Sequence, residues 1–219
     1  MPARRTAPDA RSAPRELRAR GQRTRGRLLD AGTTVFADRG YHAARVDDIV
    51  KLAKTSHGTF YLYFANKEEL FHALAEQVAG ELEALAGALP ALEPGADGLR
   101  ALTEWMDAFH RLYAGSGPII QAWTEAEIVG SDVGKLATTV WATFARALID
   151  RLRETAVDGL DPAVAALALV AMIERANYYV LAGQVSVDGH ATVTTLARVT
   201  HAAPKIAAWV TRARVVTVA

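Results

Sequence analysis

Apolar residues recur at steps of three and four along almost the whole chain, and no other feature limits the fold as strongly. The run Leu70, Leu74, Val78 and Leu82 is one example, and similar stripes follow it toward the end of the chain. A period near 3.6 places such residues on one face of an α-helix, whereas strands require alternation. We therefore predict an all-α chain of about nine helices, without a convincing strand.

The start and stop signals divide this pattern into separate helices. Asn66 and Asp161 are good N-caps, and the segment 115–118 (Gly-Ser-Gly-Pro) is expected to break a helix. The spacing also permits the last helix to continue past Pro204 to Ala213. The expected helices cover about 16–38, 46–53, 57–64, 66–90, 99–113, 119–129, 132–155, 162–182 and 190–201.

Size and composition exclude several classes of protein. With 219 residues, 51% of them apolar, the chain has enough apolar surface to exclude disorder throughout. No uninterrupted apolar run approaches the ~20 residues of a membrane span, so we expect no membrane partner. The absence of cysteine excludes disulfides and thiol nucleophiles and fits a reducing compartment, so a cytoplasmic location is expected.

Charge is distributed unevenly along the chain. Residues 1–70 carry fourteen basic and eight acidic side chains, whereas residues 71–219 carry eleven and sixteen. Nine arginines lie within residues 1–27, which are broken by three prolines and contain no apolar targeting core. We interpret residues 1–20 as a disordered basic arm. An organelle transit peptide is the alternative. A basic end on an acidic body predicts that this end meets a polyanion.

The segment 45–67 carries the strongest functional signal. Two short helical stretches are separated by a break at about 54–56, as in proteins that brace one helix across duplex DNA and insert the next into the major groove. The second stretch begins with small or polar residues, and no Asp or Glu occurs before Glu68. Candidate base or phosphate contacts are Lys54, Thr55, Ser56, His57, Gly58, Thr59, Tyr61, Tyr63 and Lys67. Each of them alone has an ordinary structural explanation, and Phe60 and Phe64, four apart, are expected to be core.

Residues 40–70 closely resemble the DNA-binding domain of TetR-family transcriptional regulators. The resemblance covers about residues 20–75 in detail, and it includes Gly40-Tyr41, Val46-Asp47-Asp48-Ile49, Thr55 to Tyr61 and Asn66-Lys67-Glu68. It implies a three-helix helix-turn-helix domain over 21–81, with its motif at about 44–63, and a larger effector-binding and dimerisation domain over 82–219. Tyr61, Tyr63 and Lys67 would hold phosphates, and Gly58 would let the protein backbone approach DNA closely.

Three departures from the family pattern affect this comparison. Ala44 stands where the family often has a small hydroxyl residue, and the adjacent Arg45 is a candidate for contact with phosphate or guanine. Lys54 replaces the common turn glycine, and His57 replaces a frequent lysine. The operator sequence therefore does not follow from the resemblance.

The resemblance further implies a homodimer, formed through the last two helices, that binds a double-stranded operator and a small effector. The helix at 162–182 is apolar on nearly all sides and needs cover on two faces, although a central core helix of a monomer would have the same property. Effector-pocket candidates combine aromatic bodies with polar edges, and each of them is also explained by core packing. They are Trp105, Phe109, Tyr113, Trp123, Trp141, Phe144, Met172, Asn177 and Tyr178, with His110, Glu125, Glu127 and Arg175 as further polar candidates.

The leading hypothesis is thus a dimeric repressor released from a palindromic operator by a small, largely apolar effector. The alternatives are a helical enzyme or small-molecule carrier, and sequence-independent DNA binding through the arginine arm. The six histidines show no metal-binding spacing, and no nucleophile elbow or phosphate loop occurs. We therefore expect no catalytic residue, no metal site and no cofactor.

Overall fold

The computed structural model describes the backbone at 12–125, 132–155 and 160–216, and the side chains at 18–121, 135–155 and 160–203. Within these ranges every regular element is an α-helix, which confirms the predicted all-α class. The eight helices are α1 (Ser12–Ala43), α2 (Val46–Leu52), α3 (His57–Tyr61), α4 (Lys67–Gly87), α5 (Ala96–Glu125), α6 (Asp132–Glu154), α7 (Pro162–Leu181) and α8 (Gly189–Val216).

Helix α1 begins before its expected start. The sequence predicted a disordered arm to residue 20, but residues 12–20 are helical, and the rest of the arm lies outside the described residues. The proline nearest the helix, Pro14, falls in the first turn, where a missing backbone N–H breaks no intrahelical bond. The predicted stop at Gly40 does occur: its φ of 72° and ψ of 162° interrupt the helical path inside α1.

The chain divides into two compact units, Met1–Leu74 and Ala75–Ala219, and the division falls inside α4. In the first unit, α1 packs on α2 and α2 on α3. Phe60 and Phe64 are 0% and 2% exposed, so the predicted core role of this pair is correct. Other members of this core are Leu28, Val35, Phe36, Ile49, Leu70 and Phe71.

A close approach between α1 and α4 fixes the core of the first unit. A Cβ atom added at Gly32 would overlap the Leu70 side chain and would lie 3.4 Å from Leu74 Cδ1. Leu70 is fully buried, so a methyl group at position 32 would force its side chain to shift within the core. Gly32 therefore leaves room for Leu70 between α1 and α4.

In the second unit, α5 packs on α8 and α6 on α7, and further contacts join α7 to α8 and α5 to both α6 and α7. The predicted break at 115–118 is wrong, because α5 continues through Pro118 to Glu125. Tyr113 before this proline and Ile119 and Ile120 after it are all buried. Burial on both sides of Pro118 offsets the backbone hydrogen bond that the proline removes.

Candidate nucleic-acid interface and effector site

The turn between α2 and α3 is tight and holds a strained residue. Ala53 donates its backbone N–H to the Ile49 carbonyl at 2.8 Å, and Thr55 donates to the Val50 carbonyl at 3.0 Å. Lys54 lies between them with a φ of 51°, a left-handed conformation that disfavours residues with a Cβ. Lys54 therefore replaces the common turn glycine at a position where the backbone conformation favours glycine. The Lys54 side chain is exposed.

Ser56 caps the start of α3. Its Oγ accepts a hydrogen bond from the Thr59 backbone N–H at 3.1 Å and lies 2.9 Å from Thr59 Oγ1. His57 and Gly58 follow, and both are exposed. Around Gly58, the nearest atom to an added Cβ would be Ser56 Oγ at 3.8 Å, so nothing in the free protein requires glycine there. The start of α3 is thus an open surface at which a backbone of another molecule can approach.

Six of the ten predicted DNA contacts are exposed and four are half-buried. Exposed are Arg45, Lys54, Ser56, His57, Gly58 and Tyr61; half-buried are Thr55, Thr59, Tyr63 and Lys67. Arg45 precedes α2 as its N-cap and makes no side-chain capping bond, in agreement with the missing hydroxyl noted at Ala44. Four of these residues (His57, Gly58, Thr59 and Tyr61) lie on α3, Lys67 begins α4, and the others lie in the turns that flank α2 and α3.

Lys67 has a different environment from the one expected. Its ammonium group donates to the carbonyl oxygens of Tyr41 at 2.8 Å, Ala44 at 3.1 Å and His42 at 3.5 Å, and it lies 4.6 Å from the centre of the Tyr41 ring. A cation at the carbonyl end of a helix is favourable because it satisfies groups that lack intrahelical partners. Since its donors point inward, the predicted phosphate contact gives way to an internal role that ties α4 to the end of α1.

The arginine-rich part of α1 runs beside the segment that follows α3. The Tyr63 hydroxyl lies 3.4 Å from the position of a Cβ at Gly21, and the Arg25 guanidinium lies 5.4 Å from the centre of the Phe64 ring. Exposed arginines recur along this stretch of α1 at positions 18, 20, 23, 25 and 27, and no acidic residue interrupts them. Residues up to 20 were predicted to form a separate arm and residues from 21 to belong to the DNA-binding domain, and the structure places Gly21 and Arg25 beside the segment that follows α3.

Two acidic residues in the first turn of α2 contact basic partners on neighbouring elements. Asp48 forms an ion pair with Arg39 of α1 at 3.3 Å, which positions α2 on α1. Asp47 Oδ1 lies 3.0 Å from His57 Nε2, at the start of α3. Asp47 was not among the predicted contacts, because a spacing of ten residues between Asp47 and His57 does not indicate a contact until the turn between them is known.

In the second unit, four of the predicted pocket residues are buried and contact one another. Trp105, Phe109 and Tyr113 stack along α5 with centroid separations of 5.9 and 5.7 Å, and Phe144 of α6 meets Phe109 edge-on at 5.6 Å. Trp105 Nε1 donates to the Leu85 carbonyl at 2.9 Å. This aromatic cluster forms an apolar wall whose indole N–H group is already paired.

Three further pocket candidates are less enclosed. Trp141, Met172 and Tyr178 are half-buried, and Trp141 lies 5.9 Å from Phe144 between ring centres. Arg175 lies 5.0 Å from the centre of the Tyr178 ring. Trp123 and the polar candidates Glu125 and Glu127 fall outside the described side chains.

A polar cluster lies between α5 and α7. The Tyr113 hydroxyl donates to Glu174 Oε1 at 2.9 Å, and burial together with the nearby Glu174 carboxylate raises the pKa of Tyr113 far above its usual range. Asn177 is fully buried; its Nδ2 donates to the Ile173 carbonyl at 2.8 Å, and its Oδ1 lies 2.7 Å from His110 Nδ1.

This hydrogen-bond pattern fixes the orientation of the His110 ring. Since the Asn177 amide donates elsewhere, its oxygen accepts from His110 Nδ1, and Nε2 then faces Gly189 of α8. The polar groups of this cluster are therefore paired with one another, next to the apolar wall. Glu174 was not among the residues predicted for this region. In the described part of the chain no three His, Asp or Glu side chains come together to hold a metal ion.

Comparison with known proteins agrees with this geometry. Residues 28–74 match the family model of bacterial regulatory proteins, tetR family. The HTH-type transcriptional activator FasR of Mycolicibacterium smegmatis is 38% identical over 85 residues, which are 39% of this chain and 38% of FasR. The uncharacterized HTH-type transcriptional regulator YhgD of Bacillus subtilis is 28% identical over 153 residues, 65% of this chain and 76% of that protein.

Solved structures of transcriptional regulators have a similar fold. The structure of the transcriptional regulator FadR of Bacillus subtilis, solved in complex with stearoyl-CoA, superposes with a TM-score of 0.60 at 22% identity, over 80% of this chain and 96% of that one. The similarity to FasR spans well under two thirds of that protein's length. The helix-turn-helix region at 28–74 thus matches that of the tetR family of bacterial regulatory proteins.

Proposed function

We propose that the protein is a dimeric, sequence-specific repressor of transcription, released from a palindromic operator by a small, largely apolar effector. In this proposal residues 21–81 bind DNA through the motif at about 44–63, and residues 82–219 bind the effector and form the dimer. The observation that carries it is the start of α3, where Ser56, His57 and Gly58 are exposed. The acid-free arginine stretch of α1 lies beside the segment that follows α3. The proposal also places the protein in the cytoplasm with its DNA.

The DNA-binding surface combines two kinds of contact. Lys54, Arg45 and the arginines of α1 supply positive charge for phosphates, which sets affinity and register without reading sequence. Residues at the start of α3 are small or polar and suit contact with base edges in the major groove. The pairing of Tyr63 with α1 supports a continuous surface in which the helical arginine segment flanks the motif.

An exposed apolar face on α7 supports the proposed dimer. Val164 and Leu167 are 66% and 67% exposed, and Tyr179 and Leu181 continue the exposed apolar surface toward the end of the helix. In the described part of the chain, α7 is also the one helix that is long and apolar enough to cross a membrane by length and composition. A second copy of the chain would cover this face, together with the exposed Val199 of α8.

The proposed effector site is the aromatic wall and the polar cluster beside it. An apolar ligand with a polar end suits this combination, and the stearoyl-CoA bound to the similar FadR structure is a molecule of that kind. Effector binding would favour a conformer that no longer fits the operator, and linkage requires operator DNA to weaken effector binding by the same factor. Stearoyl-CoA is therefore the first probe to add to a protein–operator complex.

The substitution Gly58→Ala tests the DNA-binding proposal. The added methyl group meets nothing closer than 3.8 Å in the free protein, so the stability should be unchanged or slightly higher. On DNA the methyl group would stand between α3 and the duplex, and affinity for selected operators should fall at least tenfold, a loss of about 1.4 kcal/mol. Fluorescence anisotropy at ~150 mM salt measures this loss against random duplex.

Gly80→Ala is the matched control, since this glycine lies in α4 with no atom within 4 Å of an added Cβ. It should leave DNA affinity unchanged. If the wild-type protein prefers no sequence over random duplex, the repressor proposal fails, and a helical small-molecule-binding protein becomes the better description. If Gly58→Ala binds the operator as tightly as the wild type, the start of α3 does not lie against the DNA.

A further inference from the structure

Asp47 and His57 form a contact across the turn of the helix-turn-helix motif. Asp47 lies in the first turn of α2, His57 is the first residue of α3, and Asp47 Oδ1 lies 3.0 Å from His57 Nε2. Both side chains remain open to solvent, with exposed fractions of 73% and 54%. The pair therefore lies on the proposed DNA-binding surface and not in the core beneath it.

The carboxylate determines which face of the imidazole carries a proton. A neutral imidazole has one N–H group, and an acceptor at Nε2 keeps the proton on that nitrogen. Nδ1 is then a hydrogen-bond acceptor, and among the described residues it has no partner. Asp47 thus makes Nδ1, on the exposed edge of His57, a hydrogen-bond acceptor.

We propose that Asp47 is a positioning residue for base recognition: it orients His57 so that Nδ1 accepts a hydrogen bond from an exocyclic amino group in the major groove. Adenine N6 and cytosine N4 are the amino groups displayed there, whereas guanine displays the acceptors N7 and O6. The inference rests on the proposed operator binding and specifies one of its determinants.

Folding alone does not account for this contact. The buried Ile49 and Val50 already hold α2, and the fully buried Phe60 holds α3. An exposed ion pair contributes little to stability. A carboxylate beside a DNA-binding surface also repels phosphates, so its presence there lowers affinity unless it takes part in recognition.

The test is selection of bound duplexes from a random-sequence pool with the full chain at pH 8, followed by sequencing of the bound fraction. The variants are Asp47→Asn, His57→Ala and the double variant, with Asp48→Asn as the matched control in the same helical turn. Thermal unfolding of each variant verifies that it is folded. Asp47→Glu tests whether a carboxylate on a longer side chain restores the wild-type preference.

In the expected result, the wild type prefers adenine or cytosine at one position of each half-site, and His57→Ala loses that preference. Asp47→Asn should weaken the preference at the same position by roughly fivefold, because an amide can also donate to Nε2 and therefore no longer keeps the proton on that nitrogen. The double variant should lose no more than His57→Ala. Asp47→Glu should recover part of the preference, while Asp48→Asn should retain it.

Two results would overturn the inference alone. One is an enriched operator whose base preference Asp47→Asn leaves unchanged; the other is a preference for guanine at the position that depends on His57. A wild-type protein that enriches no sequence would overturn the inference together with the proposed function. The two failures are thus distinguishable in one experiment.

Discussion

At the scale of single residues, Lys67 shows how a cation near a DNA-binding motif can act inside the protein. Its ammonium group serves three carbonyl oxygens near the end of α1 and lies against the Tyr41 ring. The sequence revealed its charge and its place at the start of α4, but not the direction of its side chain. That direction depends on where the end of α1 lies, which is a tertiary property.

The substitution Lys67→Met should lower the free energy of unfolding by about 1 to 2 kcal/mol, because the carbonyl groups lose a charged donor. Urea titration followed by circular dichroism measures this change. The salt dependence of DNA binding should keep its slope, whereas the control Lys54→Met should reduce the slope by about one phosphate contact. If Lys67→Met reduces the slope of the salt dependence and leaves the free energy of unfolding unchanged, the result would support the predicted phosphate contact instead.

Tyr113 should make the free energy of unfolding depend on pH in the alkaline range. Burial raises the pKa of its phenol above the value of an unfolded chain, so the contribution is complete below pH ~10 and decreases as the pH rises further. Above that pH the unfolded phenol loses its proton while the buried one retains it. The free energy of unfolding should then fall by up to about 1.4 kcal/mol per pH unit.

Urea titrations of wild type and Tyr113→Phe between pH 8 and 11 test this expectation, with Tyr61→Phe, whose ring is exposed, as the control. Tyr113→Phe should flatten the alkaline decline. The Glu174 carboxylate loses its phenol partner, so the variant should also be less stable at pH 8. Equal slopes in both proteins would contradict the assignment.

At the scale of helices, the accuracy of the sequence predictions depended on what each pattern encodes. Caps at Asn66 and Asp161 are local, and both are confirmed: Asn66 Oδ1 accepts from the Glu69 N–H at 2.8 Å, and Asp161 Oδ1 accepts from Ala163 and Val164. The continuity of α5 through Pro118 depends on packing from other helices, so local breaker signals gave the wrong result. The start of α1 was missed because an arginine-rich exposed helix has no apolar stripe to reveal it.

Two glycines of α1 offer a matched test of the contact between α1 and α4. Gly32→Ala should destabilise the first unit by about 1 to 3 kcal/mol, since the added methyl group overlaps Leu70 and forces its side chain to shift within the core. Gly26→Ala, with no atom within 4 Å, should stabilise α1 by up to about 1 kcal/mol. Chemical unfolding of both variants measures the contrast. If both are stabilised, the close approach is not part of the native packing.

At the scale of the whole molecule, the open question is the assembly. The apolar composition of α7 suggested a dimer from the sequence, and the exposure of Leu167 and Val164 locates an uncovered face on that helix. The full operator sequence, by contrast, follows neither from the sequence nor from a free chain, because most contacts with bases form only in the complex. A direct measurement of the molecular mass in solution shows whether the protein forms a dimer.

The substitution Leu167→Glu should convert the proposed dimer into a monomer of 23.5 kDa, because it places a charge in an apolar interface. Size-exclusion chromatography with light scattering measures the mass. Ala84→Glu, an exposed position of α4, is the control and should leave the mass of the dimer unchanged. A wild-type protein that is itself a monomer at micromolar concentration would exclude the proposed interface.

The empty space around Gly58 has an evolutionary consequence. A residue that packs against nothing can be replaced without disturbing the hydrophobic core, and its mutational cost is set by the partner molecule. Descendants of this gene can therefore acquire new targets through single codon changes at the start of α3, while the buried Phe60 maintains the scaffold. Such separation of scaffold from recognition lets duplicated genes diverge in specificity before they lose foldability.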